Sequence, residues 1–260
     1  MEEQYRRTLR RLRGTRGSPR VLPEDTPGIL AWLEQGEVTA CDLLPSGSNY
    51  TFLTAVRHQG AEFLAIYKPR RGEMPLWDFP QGTLYRRECA AYVLSEATGW
   101  AFVPPTVVRD GPLGIGSLQV YVDADPDANY FSLGKDRVAE MQRITLFDYI
   151  ANNADRKAGH CLLGNDGRIW AIDHGLTFHV APKLRTVIWD FMGQPIPEGL
   201  LADLVALRRH LAPASALSRQ LRRLLSVPEV QALSGRVEAL IERPAFPRPS
   251  SGRSVPWPPV

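Results

Sequence analysis

The stretch NNADRKAGHCLLGNDGRIWAIDHG, residues 152–175, decides how the chain reads. Cys161–Leu163 and Arg168–Ile172 are short strand-like runs, and Gly164-Asn165-Asp166-Gly167 between them is turn chemistry, so a hairpin is predicted. If Leu163 pairs with Arg168, the antiparallel register pairs His160 with Ala171 and brings His160 and Asp173 together at the open end. Asp155 lies five residues before His160, on the loop leaving Asp136–Asn152. That segment carries Val138, Met141, Ile144, Leu146, Phe147, Tyr149 and Ile150 and predicts a buried helix. Two carboxylates and an imidazole therefore converge where loops leave packed elements, a usual setting for catalysis.

Toward the C-terminus, three amphipathic helices are marked by Leu200/Leu204/Leu207/Leu211, Leu217/Leu221/Leu224/Leu225 and Val230/Leu233/Val237/Leu240. Toward the N-terminus the pattern is strand-like. Val38–Leu44 and Tyr50–Val56 flank the turn Pro45-Ser46-Gly47-Ser48-Asn49, Glu62–Tyr67 is an apolar run closed by Lys68-Pro69, and Val103–Val108 and Ser117–Val122 follow a helix running from Thr83 to about Thr98. The sum is an α+β, two-lobed chain: a small antiparallel sheet with one helix, then a helical lobe carrying the hairpin. The boundaries read as an Arg-rich tail over 1–28, a sheet lobe over 29–122, a helical lobe over 123–243, and a Pro-rich disordered end over 244–260 with six prolines.

Composition narrows the classes. The 260 residues have 44% hydrophobic and 23% charged side chains, ordinary for a globular protein. No run approaches the ~18 apolar residues of a membrane span, and no apolar signal follows the N-terminus. Cys41, Cys89 and Cys161 are scattered and fit a reducing cytoplasm. The formal charge is +3, of which residues 1–20 contribute +5, so residues 21–260 sum to −2. The tail lacks the interleaved aromatics of a nucleic-acid platform, so no nucleic-acid partner is expected. Only four lysines (Lys68, Lys135, Lys157, Lys183) stand among 31 Lys and Arg residues, which singles them out as places where a compact ammonium has a use.

One carboxylate on a loop and a second followed by a small turn suit phosphoryl transfer, which needs a group to orient the incoming hydroxyl and a ligand for a divalent ion beside the phosphates. Lys68 ends an apolar strand, where its ammonium can reach phosphate oxygens. Glu88 shares a helix stripe with Leu84, Ala91, Tyr92 and Ser95, so it faces inward and calls for a cation, with Lys68 the candidate. Backbone N–H groups of Ser46, Gly47 and Ser48 can lie over phosphates.

These residues resemble the kinase fold, and more closely its atypical branch of phosphatidylinositol 3-/4-kinases and HipA-like kinases, including an actinobacterial group of the phosphatidylinositol 3- and 4-kinase-like type. The resemblance is carried by Tyr67-Lys68-Pro69, Leu76-Trp77-Asp78-Phe79-Pro80, Arg87-Glu88-Cys89-Ala90-Ala91-Tyr92, Asn153-Ala154-Asp155-Arg156-Lys157, Ile172-Asp173-His174-Gly175-Leu176 and Trp189-Asp190-Phe191. It implies an ATP-dependent phosphotransferase clamping ATP between lobes and acting on a hydroxyl-bearing acceptor. Lys68 would contact the phosphates, Glu88 position it, Asp155 orient the acceptor, Asp173 bind Mg²⁺, and Gln119 and Tyr121 line the adenine hinge. The family pattern Asp-Arg-His-x-x-Asn puts a second metal ligand at position 160; His160 there suits Mn²⁺ better than Mg²⁺. Two alternatives accompany this reading. One is a nucleotide-binding pseudokinase or scaffold whose tails contact partners. The other is a metal hydrolase using His160, Asp173, His174 and His179.

Overall fold

A computed structural model describes residues 26–44, 49–249 and 252–260. The chain divides into two compact units, one containing residues up to Cys89 with Pro104–Tyr121, the other Ala90–Val103 with Val122–Val260.

In the first unit, helix α1 (Thr26–Gln35) precedes strands β1 (Glu37–Leu43), β2 (Phe52–His58) and β3 (Ala61–Pro69). Helix α2 (Leu84–Ala97) begins here, and β4 (Thr106–Gly111) and β5 (Gly114–Val120) complete an antiparallel sheet in the order β1-β2-β3-β5-β4. Strand alternation puts Phe63, Ala65 and Tyr67 on one face, where they form a core with Leu33, Val56, Val107, Leu118 and Val120. Side chains buried this fully contribute about 1.5–3 kcal/mol each. The same alternation sends Lys68 to the face of Leu64 and Ile66.

Helix α1 begins at Thr26, inside the tail expected over residues 1–28, and continues into the expected sheet lobe. Its Leu33 is completely buried, and the Arg109 guanidinium donates to Leu33 O and Gly36 O at 2.8 and 2.7 Å. A proline in the first turn followed by Ile29, Leu30 and Leu33 was the available signal.

The second unit holds α3 (Val138–Ala151), the hairpin β6 (Cys161–Leu163) and β7 (Ile169–Ala171), and helices α4 (Glu198–His210), α5 (Ala216–Leu221) and α6 (Val227–Glu242). The hairpin register differs by one residue from the expected one: Leu163 pairs with Ile169, and Cys161 rather than His160 with Ala171. Arg168 is drawn into the turn, its N–H bonded to Asp166 Oδ1 at 3.0 Å and its carbonyl accepting from Gly164 N–H at 2.9 Å. The slip puts His160 opposite Ile172, whose N–H donates to His160 O at 3.0 Å.

The Pro-rich end is the larger correction. Over its described residues, 244–249 and 252–260, it is bonded to the second unit rather than disordered. Phe246 is buried against Phe191 (5.5 Å between ring centres), exchanges backbone bonds with Gly193 and Gln194, and Pro244 O accepts from Ile196 N–H. Proline disfavours helix interiors and central strands, but it does not exclude order.

No helix among the described residues is long and apolar enough to cross a membrane.

Candidate active site

In the first unit the Lys68 ammonium reaches Glu88 Oε1 at 2.5 Å. Strand β3 brings Lys68 to the sheet opposite Ser117 of β5, and the first half of α2 presents Glu88, which is 3% exposed. Glu73 starts that helix by accepting the Tyr85 N–H at 2.9 Å. Phe79 is buried beneath the Arg87 guanidinium, 5.1 Å from its ring centre, so this part of Leu76–Pro80 is structural. Trp77 of the same stretch is 94% exposed.

Gln119 sits on the interior strand β5, paired with Ile66 and Thr106, and its side-chain amide donates to Thr106 Oγ1 at 2.8 Å. The Tyr121 N–H is also committed, to Leu64 O at 3.0 Å. Ser46, Gly47 and Ser48 lie outside the described residues.

In the second unit the remaining candidates come together. His160 Nε2 lies 3.4 Å from Asp173 Oδ2, and Lys157 Nζ lies 3.8 Å from Asp155 Oδ2. Burial pushes the Asp155 carboxyl up to about 6; Asp173 adds to the rise while Lys157, Arg156 and Arg185 oppose it. Asp173 adopts a left-handed backbone, φ +59°, which for a non-glycine residue costs on the order of 1 kcal/mol and marks functional loops.

Asp148, Asn152, Asn153 and Arg156, to which the sequence assigned no individual role, hold this arrangement. Asn152 caps α3 in the left-handed region (φ +53°), where asparagine is tolerated. Its side chain donates to His179 O and Ala181 O and accepts from Lys183 N–H, each at 2.8 Å. Arg156 is fully buried and all five of its N–H donors are used. Nε and Nη2 fork onto Asp148 at 2.9 Å each, Nη1 donates to His160 O and Ile172 O at 3.3 and 2.9 Å, and Nη2 also meets His174 Nε2 at 2.8 Å. Since arginine only donates, His174 Nε2 is the acceptor. Asn153 completes the set, donating to Asp148 Oδ1 at 2.9 Å while its own Oδ1 accepts the Asp155 N–H at 3.0 Å. One guanidinium thus fixes the backbone beside both Asp155 and Asp173. An apolar helix carrying an aspartate eight residues before a loop arginine was the visible signal.

Among the described residues no three His, Cys, Asp or Glu side chains form a metal cage. The metal-hydrolase alternative loses its donor set. A divalent ion of the Mg²⁺ or Mn²⁺ kind is ordinarily held by one or two protein groups and the substrate phosphates, so Asp173 with His160 beside it fits such an ion.

The chain is 36% identical over 277 aligned residues to Protein Rv2133c of Mycobacterium tuberculosis (strain ATCC 25618 / H37Rv), covering 93% of this chain and 98% of that one. The chain belongs to the Rv2133c family. Phosphatidylinositol 4-kinase gamma 4 of Oryza sativa subsp. japonica is 35% identical over 108 residues, 34% of this chain and 19% of the kinase. Phosphatidylinositol 4-kinase gamma 2 of Arabidopsis thaliana is 28% identical over 174 residues, 51% of this chain and 31% of the kinase. Among solved structures, the Golgi casein kinase with Mn/ADP bound matches with a TM-score of 0.55 at 14% identity, covering 84% of this chain and 74% of that one. Hydra Fam20 with sugar matches with 0.53 at 13% identity, covering 84% and 88%. The fold is therefore kinase-like α+β. No protein-family model matches the chain.

Proposed function

We propose that the chain is an ATP-dependent phosphotransferase of the phosphatidylinositol 3-/4-kinase-like atypical kind, moving the γ-phosphoryl group of ATP to a hydroxyl-bearing acceptor. The observation that carries this is the Lys68–Glu88 pair. An inward ion pair seldom stabilises a fold better than apolar side chains of like volume. This one also keeps one of four lysines in a chain whose other cations are arginine. A positioned ammonium on nucleotide phosphates is the use that explains it.

The other roles follow residue by residue. Asp155 orients the acceptor hydroxyl and takes up its proton as the bond to phosphorus forms; a carboxyl raised to about 6 is a better proton acceptor than an ordinary aspartate. Asp173, with His160 beside it, would hold the divalent ion, which when bound neutralises charge on the phosphates. Lys183 and Arg185 follow the Asp173 loop and suit an anionic acceptor. The partial likeness to plant phosphatidylinositol 4-kinases supports a lipid headgroup as that acceptor.

Thermal-shift titration with ATP and Mg²⁺ or Mn²⁺, paired with an assay of ADP formation, tests the reading. Nucleotide at a hundredfold excess over Kd should stabilise wild type by ~2.7 kcal/mol, and Lys68→Met and Asp173→Asn should abolish most of this. No shift in wild type would overturn the proposal. Nucleotide binding without turnover, indifferent to Asp155→Asn, would make the chain a nucleotide-binding scaffold instead.

A further inference from the structure

Residues 254–259 are bonded to the backbone of the candidate catalytic loop and to its neighbour. Pro259 O accepts the Ala158 N–H at 2.8 Å, three residues after Asp155 and two before His160. Ser254 O accepts the Thr186 N–H at 3.0 Å and the Trp189 indole N–H at 3.3 Å. Thr186 is the loop's own pairing partner. Arg156 N–H donates to Arg185 O at 3.0 Å and Val187 N–H to Arg156 O at 3.1 Å, a short parallel bridge of Arg156 with Thr186. The segment therefore grips the loop directly at residue 158 and, through residues 185–187, at residue 156.

Ala158 is 0% and Thr186 1% exposed. Without acceptors their buried N–H groups would be left unsatisfied away from water, which is destabilising. Pro256 is buried between the two anchor points. Pro256, Pro258 and Pro259 have fixed φ and no N–H of their own, so the segment orders at low entropic cost and presents carbonyls. It does not cover the acids: with the segment in place the Asp155 and Asp173 side chains remain 30% and 47% exposed.

We infer that Ser254–Pro259 is a positioning strap that holds the Asp155–His160 loop in its working geometry, so that its loss lowers turnover and leaves nucleotide affinity intact. The activity part of this rests on the phosphotransferase reading; the structural part does not.

The test compares the full chain with a chain ended at Pro249 and with Trp189→Phe in the full chain, which removes one strap bond and keeps an aromatic ring. Amide hydrogen exchange at Ala158 and Thr186 is read beside steady-state kinetics and nucleotide Kd. In the shortened chain both amides should exchange at least about 100-fold faster. Its kcat should fall about 10- to 100-fold, as for other small misplacements of catalytic groups, with nucleotide Kd within about threefold of the full chain. A synthetic peptide of residues 250–260 should restore kcat saturably. Trp189→Phe should accelerate exchange at Thr186 and decides the matter if the shortened chain does not fold. A rise in kcat on shortening would mean a plug and overturn the proposal. So would unchanged exchange, or a loss of nucleotide binding equal to the loss of kcat without peptide rescue. If the full chain shows no turnover, the phosphotransferase reading fails and exchange alone decides the strap.

Discussion

Asp155 shows how one side chain carries both a stability cost and a chemical use. Burial raises its carboxyl from 3.8 to about 6, so the folded chain binds this proton more tightly than the unfolded chain does. Its contribution is most favourable below about pH 4, declines between about 4 and 6, and becomes a constant penalty above that. For a side chain 30% exposed the penalty is about 1–3 kcal/mol. Asp155→Asn should therefore raise the melting temperature at pH 7.5, flatten the fall in stability between pH 4 and 6, and abolish turnover. Denaturant titrations across that pH range check it, and a destabilised Asn variant would contradict it. Glu88 makes the reverse case. Lys68→Met removes a counter-charge from a carboxylate 3% exposed and should cost up to about 4 kcal/mol. The double variant Lys68→Met/Glu88→Leu should recover most of that stability and none of the nucleotide binding, as chemical denaturation and nucleotide titration will report. Arg156→Lys keeps the charge but loses the fork onto Asp148 and the bonds to His160 O and Ile172 O. It should destabilise by about 3–5 kcal/mol, and Asp148→Asn added to it should cost little more.

Elements show what was legible in the sequence and why the rest was not. The five sheet strands, α2, α3, the hairpin and the three late helices were readable because apolar periodicity and turn residues agreed with one another. The hairpin register slipped by one because Asp166 bonds the Arg168 N–H, a local choice that alternation does not encode. The pairing of His160 with Asp173 survived the slip, since both lie beyond the last strand pair. Helix α1 was hidden by the Arg-rich run before it. The Pro-rich end was hidden because composition reports the absence of regular structure, not the absence of docking; Phe246 and Pro256 were its anchors. In the site, the charged residues announced themselves by type and spacing. The Asp148–Arg156–Asn153 scaffold did not, because its meaning lies in five donors meeting five acceptors in space. The packing of α1 belongs to this scale. Leu33→Ala should destabilise the chain by about 2–5 kcal/mol, as for a leucine fully inside a core, and an unmoved denaturation midpoint would contradict the packing of α1 on the sheet.

At the scale of the whole molecule, charge and chemistry are separately placed. Residues 1–20 carry +5 of a formal +3, and every candidate site residue lies in the remainder, which sums to −2. A block of arginine governs long-range attraction to phosphate-bearing surfaces, and that attraction fades beyond a Debye length of about 8 Å at physiological salt. Deleting residues 1–20 should therefore reverse the sign of the net charge at pH 7, weaken retention on a phosphate-bearing resin in a salt-dependent way, and leave the nucleotide-induced thermal shift unchanged. A shift that disappears with the deletion would show that the arginines act on the nucleotide itself, and the division of labour argued from the charge map would have to be abandoned.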